Sequence, residues 1–171
     1  MKKLSVLLCI FLLSACAPSE VPSDKILERN GIKYEINSQI PFTGVSTDYY
    51  ENGRLKEKYT YKDGEQNGLN EVYFENGRLN WKGTHKNGKL TGLNEVYHEN
   101  GQLEFQTTFK DGEQNGLNEG YHENGQLLWK GTFKDGELNG LWEAYRENGQ
   151  EEDFFPKCYQ NDKEVDISKC K

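Results

Sequence analysis

Residues 121–144 read YHENGQLLWKGTFKDGELNGLWEA, and the pattern in this stretch decides the fold. Two turn signals, Glu123-Asn124-Gly125 and Asp135-Gly136, are separated by Leu, Trp, Thr and Phe residues. Asn-Gly and Asp-Gly supply the positive φ angles of tight hairpins, and aromatic and β-branched residues favour strands. The stretch therefore predicts one β-hairpin.

The same pattern recurs every 24 residues. Glu-Asn-Gly begins at Glu51, Glu75, Glu99, Glu123 and Glu147, with Asp63-Gly64, Asn87-Gly88, Asp111-Gly112 and Asp135-Gly136 between. Sequence periods of this size indicate solenoids or arrays in which each unit buries its apolar side against its neighbours. We therefore expect an all-β fold, an elongated antiparallel meander or solenoid of 24-residue β-hairpin repeats in a single sheet.

The composition agrees with a sheet rich in tight turns. Of the 171 residues, 34% are hydrophobic and 12% aromatic, and 18 are glycine, which leaves little aliphatic material for a thick two-layer core. The 21 Lys and Arg against 28 Asp and Glu give a formal net charge of -7. This charge argues against a nucleic-acid partner.

The first segment predicts export. Lys2 and Lys3 precede an apolar run, Leu4–Leu13, that is too short to span a bilayer as a permanent helix. The next residues, Leu13-Ser14-Ala15-Cys16, resemble a bacterial lipobox. The resemblance implies cleavage before Cys16 and acylation of its sulfur. The alternative is an ordinary signal peptide with an incidental cysteine.

On this resemblance, residues 1–15 are a lipoprotein signal peptide and residues 16–25 a lipidated tether that contains Pro18 and Pro22. We expect the mature chain to be lipid-anchored to a membrane of the bacterial cell envelope. Ala17, rather than Asp, follows the lipidated cysteine, which resembles proteins sorted to the outer membrane.

The remaining cysteines lie near the C-terminus. Cys9 is lost with the signal and Cys16 is acylated, which leaves Cys158 and Cys170. On the exported side thiols oxidise, so we expect a structural disulfide, with two free thiols as the alternative. We assign residues 26–48 to an N-terminal cap and degenerate first repeat, 49–150 to the hairpin repeats and 151–171 to a C-terminal cap.

The faces of the sheet follow from the register. If each turn had two residues, Tyr73 would pair with Asn80 and the apolar columns of alternate strands would fall on opposite faces. We expect instead that Glu-Asn-Gly and Lys-Asn-Gly are both three-residue loops, which place Tyr73 opposite Leu79 and Trp81 opposite Leu93. One face is then expected to hold Leu69, Leu93, Leu117, Leu141, Tyr49, Tyr73, Tyr97, Tyr121, Tyr145, Leu55, Leu79, Leu103, Leu127, Trp81, Phe105, Phe109, Trp129 and Phe133. The opposite face is expected to carry Thr60, Thr84, Thr108, Thr132, Lys58, Lys82, Lys130, Val72 and Val96.

The aromatic part of the first face is the candidate binding surface. It comprises six residues of three repeats: Tyr73, Trp81, Tyr97, Phe105, Tyr121 and Trp129. Tyr and Trp suit contacts with proteins and with sugars. The alternative is that these side chains only pack against one another within a curled sheet.

The repeat carries a resemblance. The pattern quoted for residues 121–144 resembles the MORN-repeat variant of bacterial proteins of the YwqK antitoxin type, over about residues 44–149. Pro41-Phe42-Thr43-Gly44 resembles the degenerate entry repeat of such proteins. The resemblance implies a binding surface and raises the possibility of an antitoxin.

The polar columns do not predict catalysis. Glu71, Glu95, Glu119 and Glu143 recur identically in every repeat, whereas an active site needs one distinguished place with unlike pKa values, so we expect a solvated or Lys-paired ladder. His98 and His122 are two strands apart, about 10 Å, too far to share one zinc ion. We expect no enzyme activity, no metal and no cofactor.

Three functions remain open. The first is a non-enzymatic envelope lipoprotein that presents its repeat surface to an unknown protein partner. The second is an antitoxin or immunity protein that neutralises a toxin. The third is a structural or glycan-contacting component of the envelope.

Overall fold

The structure is a computed structural model that describes residues 19–170, and this part of the chain is built from β-strands and two short 3-10 turns. The strands are β1 (Glu20–Pro22), β2 (Ile26–Arg29), β3 (Ile32–Glu35), β4 (Gly44–Tyr49), β5 (Leu55–Lys62), β6 (Glu65–Gln66), β7 (Gly68–Tyr73), β8 (Leu79–Lys86), β9 (Lys89–Tyr97), β10 (Leu103–Lys110), β11 (Glu113–Tyr121), β12 (Leu127–Lys134), β13 (Glu137–Ala144), β14 (Lys157–Gln160) and β15 (Lys163–Val165). The 3-10 turns are Ser23–Lys25 and Ile167–Cys170.

One large sheet contains thirteen of these strands. Its order is β1-β4-β5-β7-β8-β9-β10-β11-β12-β13-β14-β15, and β6 pairs with the end of β5. All neighbours pair antiparallel except β1, which lies parallel to β4 at one edge. The predicted all-β meander of hairpin repeats in a single sheet is confirmed.

The Glu-Asn-Gly loops have the predicted three-residue form. In the second repeat, Gly77 N–H donates to the Phe74 carbonyl at 2.8 Å, and Phe74 N–H donates to the Arg78 carbonyl at 2.8 Å. Gly77 has a φ of +88°, which suits the glycine of a type I turn followed by a bulge. Tyr73 pairs with Leu79, as predicted.

The Asn-Gly and Asp-Gly turns differ from the prediction. Lys86 pairs directly with Lys89, so the connecting loop has two residues, Asn87 and Gly88, with φ angles of +50° and +75°. Two positive φ angles define a type I′ turn. The prediction that Lys-Asn-Gly forms a three-residue loop is therefore wrong.

Bulges inside the strands also change the register. Lys82 pairs with Glu95 but Thr84 pairs with Thr91, so β9 contains two extra residues next to Gly92, whose φ is +71°. Trp81 consequently pairs with Val96 and not, as predicted, with Leu93.

The corrected register redistributes the side chains. Paired residues share a face and sequence neighbours do not, so Trp81 lies on the face of Val72 and Val96, its two partners. We call this the aromatic face, and it includes Val72, Trp81, Val96, Phe105, Phe109, Trp129, Phe133 and Trp142. The column of Leu69, Leu93, Leu117 and Leu141 lies on the other side with the Thr and Lys residues, because Leu69 pairs with Thr84 and Leu117 with Thr132. The tyrosine column lies on that side too, since Tyr73 and Tyr97 directly follow Val72 and Val96 along their strands. We call that side the glutamate face, after Glu71, Glu95, Glu119 and Glu143.

The N-terminal cap covers the beginning of the aromatic face. The β2–β3 hairpin forms its own small sheet, and Ile26 and Lys33 line one cleft with Tyr59 and Tyr61 of β5. Phe42 packs against Tyr61 with ring centroids 5.8 Å apart, and both are buried. The predicted tether, 16–25, is structured in part, because residues 20–22 form β1 through edge pairing with β4.

The C-terminal cap covers the end of the opposite face. Cys158 pairs with Leu141 of β13, so its side chain lies on the glutamate face, where it forms the predicted disulfide with Cys170. The disulfide holds the 3-10 turn Ile167–Cys170 beside Leu141. The two caps therefore leave the middle of both faces open.

Candidate functional site on the aromatic face

The six predicted site residues are divided between the two faces. Trp81, Phe105 and Trp129 lie in one row of the aromatic face, joined through their partners Val96 and Gly120. The tyrosines at 73, 97 and 121 lie on the glutamate face, where Tyr97 donates its hydroxyl to Glu95 at 3.0 Å. The prediction that all six form one stripe is wrong, because the type I′ turns and the bulges change which residues share a face.

Sequence reasoning missed Trp142. Trp142 pairs with Gly131, and its indole stacks on that of Trp129, with ring centroids 4.9 Å apart and planes at 10°. It occupies the position that Asn70, Asn94 and Asn118 hold in earlier repeats. The replacement of this asparagine by tryptophan in the last repeat is the sequence signal that could have identified Trp142.

Glycines allow two of these indoles to lie close to the sheet. A Cβ on Gly120 would lie 2.2 Å from Trp129 Nε1, and one on Gly131 would lie 2.4 Å from Trp142 Cε3. Earlier repeats have Val72 and Val96 where Gly120 stands. The end of the row near β13 therefore carries two stacked indoles that lie close to two glycines.

The row is only half-buried. Trp81, Phe105, Trp129 and Trp142 all have intermediate exposure. Strands β8 to β12 pack chiefly against their neighbours in the sheet, with no second layer over them in the described part of the chain. A repeated, half-exposed aromatic surface of this kind suits binding of another molecule.

A column of buried asparagines supports the row from the same face. Asn70, Asn94 and Asn118 are 0%, 6% and 2% exposed. Asn70 Oδ1 accepts a hydrogen bond from Thr60 N–H at 2.8 Å, and Asn118 Oδ1 accepts one from Thr108 N–H at 3.2 Å. Asn70 and Asn118 therefore each satisfy a backbone donor of the neighbouring strand.

The glutamate face carries the expected Lys-paired ladder. Lys82 Nζ lies 2.7 Å from Glu95, and Lys130 Nζ lies 3.0 Å from Glu143. Hydrogen bonding to these carboxylates raises the pKa of both lysines above 10.5. Burial raises the pKa of the Tyr97 phenol above 10.0. Glu95 and Glu143 are therefore held in ion pairs that join neighbouring strands.

The histidines before the Glu-Asn-Gly loops join neighbouring repeats. His98 Nε2 lies 3.2 Å from the Tyr121 carbonyl, and His122 Nε2 lies 3.0 Å from the Tyr145 carbonyl. A carbonyl only accepts, so each Nε2 carries the proton. Among residues 19–170, no three His, Cys, Asp or Glu residues are grouped to hold a metal ion.

The predicted membrane anchor lies in the part of the chain before residue 19. Cys16 and the signal peptide lie outside the described residues. Between residues 19 and 170, no helix has the length and apolar character needed to cross a bilayer.

Comparison with known proteins agrees with the repeat. A search of curated proteins found no match. The MORN repeat variant model matches residues 42–63, 90–111 and 114–135. Each matched segment ends at the first residue of a type I′ turn, namely Asp63, Asp111 or Asp135. These three segments are therefore similar to the MORN repeat variant.

Proposed function

We propose that this protein is a non-enzymatic binding protein whose aromatic row, Trp81, Phe105, Trp129 and Trp142, contacts a protein partner. The observation that carries the proposal is the half-exposed row on a single-layer sheet, with two stacked indoles held close to Gly120 and Gly131. Half-exposed Trp and Phe side chains on a rigid scaffold are typical of binding hot spots.

The proposal includes anchoring in the bacterial cell envelope. The lipobox-like Leu13-Ser14-Ala15-Cys16 supports acylation of Cys16, and the Cys158–Cys170 disulfide suits an oxidising, exported compartment. A lipid anchor would hold the sheet close to the membrane and leave both faces free for partners.

The test is site-specific photocrosslinking in cells that express the full-length protein. Phe105 is replaced by benzoylphenylalanine, an aromatic residue of similar shape, and the matched control places the same group at Thr84, which is exposed on the glutamate face. We expect one or more proteins to crosslink at position 105 and to be missing from the control.

The captured material also decides between the functions. A single toxin bound in equal amount would support the antitoxin function implied by the YwqK-type resemblance, and a set of envelope proteins would support an assembly role. Crosslinking to peptidoglycan alone, or capture of the same proteins from both positions, would contradict protein binding by the aromatic row.

A further inference from the structure

A row of alternating charges crosses the glutamate face. Its eight members pair directly from strand to strand: Lys58, Glu71, Lys82, Glu95, Gln106, Glu119, Lys130 and Glu143. We call this the charge row. Lys and Glu alternate along it except at Gln106, where a neutral amide stands in the position that Lys82 and Lys130 hold in neighbouring repeats. The row therefore has three cations and four anions.

The unbalanced charge lies at Glu119. Lys82 and Lys130 form ion pairs with Glu95 and Glu143. Glu119 instead accepts hydrogen bonds from Gln106 Nε2 and from the Tyr121 hydroxyl, the latter at 3.1 Å. Within the described residues, no Lys or Arg nitrogen lies within ion-pair distance of Glu119 or of Glu71. Glu71, however, pairs from strand to strand with two lysines, Lys58 and Lys82, whereas Glu119 pairs with only one, Lys130. The two hydrogen-bond donors of Glu119 are both neutral.

Exposed leucines flank this position. Leu93 and Leu117 are each 47% exposed, and they pair with Thr108 and Thr132 in the row next to the charge row. The equivalent Leu141 is less exposed, since the C-terminal turn lies beside it and Cys170 lines one cleft with Leu117 and Leu141. The protein's own C-terminal segment thus already packs across the leucine column.

We propose that the glutamate face around Gln106 binds a basic segment of a partner protein. A Lys or Arg of that segment pairs with Glu119, and its apolar neighbours pack on Leu93 and Leu117. The Glu119 side chain is half-buried, so its carboxylate is partly desolvated and attracts a cation more strongly than a fully exposed one.

The charge of the site determines the partner class. The net charge of -7 and the surplus carboxylate repel nucleic acid and anionic lipid, while they attract a basic peptide. The site lies on the opposite side of the sheet from the aromatic row, so this proposal and the proposed function can fail independently.

The probe is a fluorescein-labelled hexapeptide of alternating Lys and Leu, tested by fluorescence anisotropy on the mature full-length protein. We expect binding that weakens as salt is raised, with no binding of the matching Glu-Leu peptide. Gln106→Lys should weaken binding by about fivefold, the effect of neutralising one partly exposed charge. Lys82→Gln should strengthen it, because Glu95 then also lacks its cation.

The matched control is Gln126→Lys, which adds the same charge in an exposed loop, at the position that Arg54 and Arg78 hold in earlier repeats. Gln106→Lys restores the pattern of the neighbouring repeats, so we expect it to fold. The proposal is overturned if the Lys-Leu peptide does not bind, if Gln106→Lys binds as the wild type does, or if Gln126→Lys weakens binding equally.

Discussion

Asn70 donates its side-chain amide to Nδ1 of His85 at 3.0 Å. The direction of this bond is fixed, because the carbonyl end of the same amide already accepts Thr60 N–H. His85 Nδ1 is therefore the acceptor, and the neutral imidazole carries its proton on Nε2. Protonation of Nδ1 would place two donors against each other beside a fully buried side chain.

This contact predicts how stability depends on pH. Burial lowers the pKa of His85 below its ordinary value of 6.5. In acid, the unfolded chain therefore takes up a proton at His85 more readily than the folded chain does. The contribution of neutral His85 to the free energy of unfolding is fully present above pH 6.5 and is lost as the pH falls below 6.5. We expect the free energy of unfolding, measured in urea, to fall less between pH 7 and pH 5 in His85→Gln than in the wild type. His98→Gln is the control, since Gln can still donate to the Tyr121 carbonyl, and an unchanged slope in His85→Gln would contradict the assignment.

The asparagine column gives a matched pair of mutations. Asn70→Ala leaves the buried Thr60 N–H without its acceptor, whereas Asn94 Oδ1 has no hydrogen-bond partner in the described structure. We expect Asn70→Ala to lower the free energy of unfolding by about 2–3 kcal/mol, and Asn94→Ala to cost about 1 kcal/mol less. Chemical denaturation of both variants tests this. Equal losses of stability in the two variants would show that the hydrogen bond from Thr60 N–H to Asn70 does not contribute measurably.

Gly120 is expected to control the indole of Trp129. Gly120→Val places a side chain where the indole lies and should destabilise the protein by about 1–3 kcal/mol and alter its Trp fluorescence. The double variant Gly120→Val with Trp129→Phe copies the Val96–Phe105 pair of the preceding repeat and should recover much of the loss. No recovery in the double variant would argue against this packing account.

The disulfide should anchor only the C-terminal cap. Neither Cys158 nor Cys170 should react with iodoacetamide before reduction, as peptide mass spectrometry can show. Removing both thiols by Cys→Ala opens a loop worth roughly 3 kcal/mol. We expect faster hydrogen exchange in residues 157–170 and unchanged exchange in β7 to β11. Increased exchange throughout the sheet would contradict a role confined to the cap.

The sequence was sufficient for the repeat but not for the faces. The spacing of Glu-Asn-Gly predicted the hairpins and the Tyr73–Leu79 pair, because this loop form depends only on local φ preferences. The face of each column depends on the summed length of every loop and bulge, and an error of one residue reverses it. Treating Asn87-Gly88 as part of a three-residue loop introduced that error between Trp81 and Tyr97, and the one-residue bulge beside the Val72–Trp81 pair introduced it between Trp81 and Tyr73. Neither this bulge nor the one at Gly92 has a counterpart in simple strand alternation.

Binding of a protein partner by the aromatic row is tested most directly with the partner that crosslinking captures. Its dissociation constant is measured by titration calorimetry for the wild type, for Trp81→Ala and Trp129→Ala, and for Thr84→Ala as the control on the other face. We expect each Trp variant to bind at least about tenfold more weakly while remaining folded, and Thr84→Ala to bind normally. Trp variants that fold and bind like the wild type, or that lose about 3–5 kcal/mol of stability without losing affinity, would show that the row only packs within the sheet.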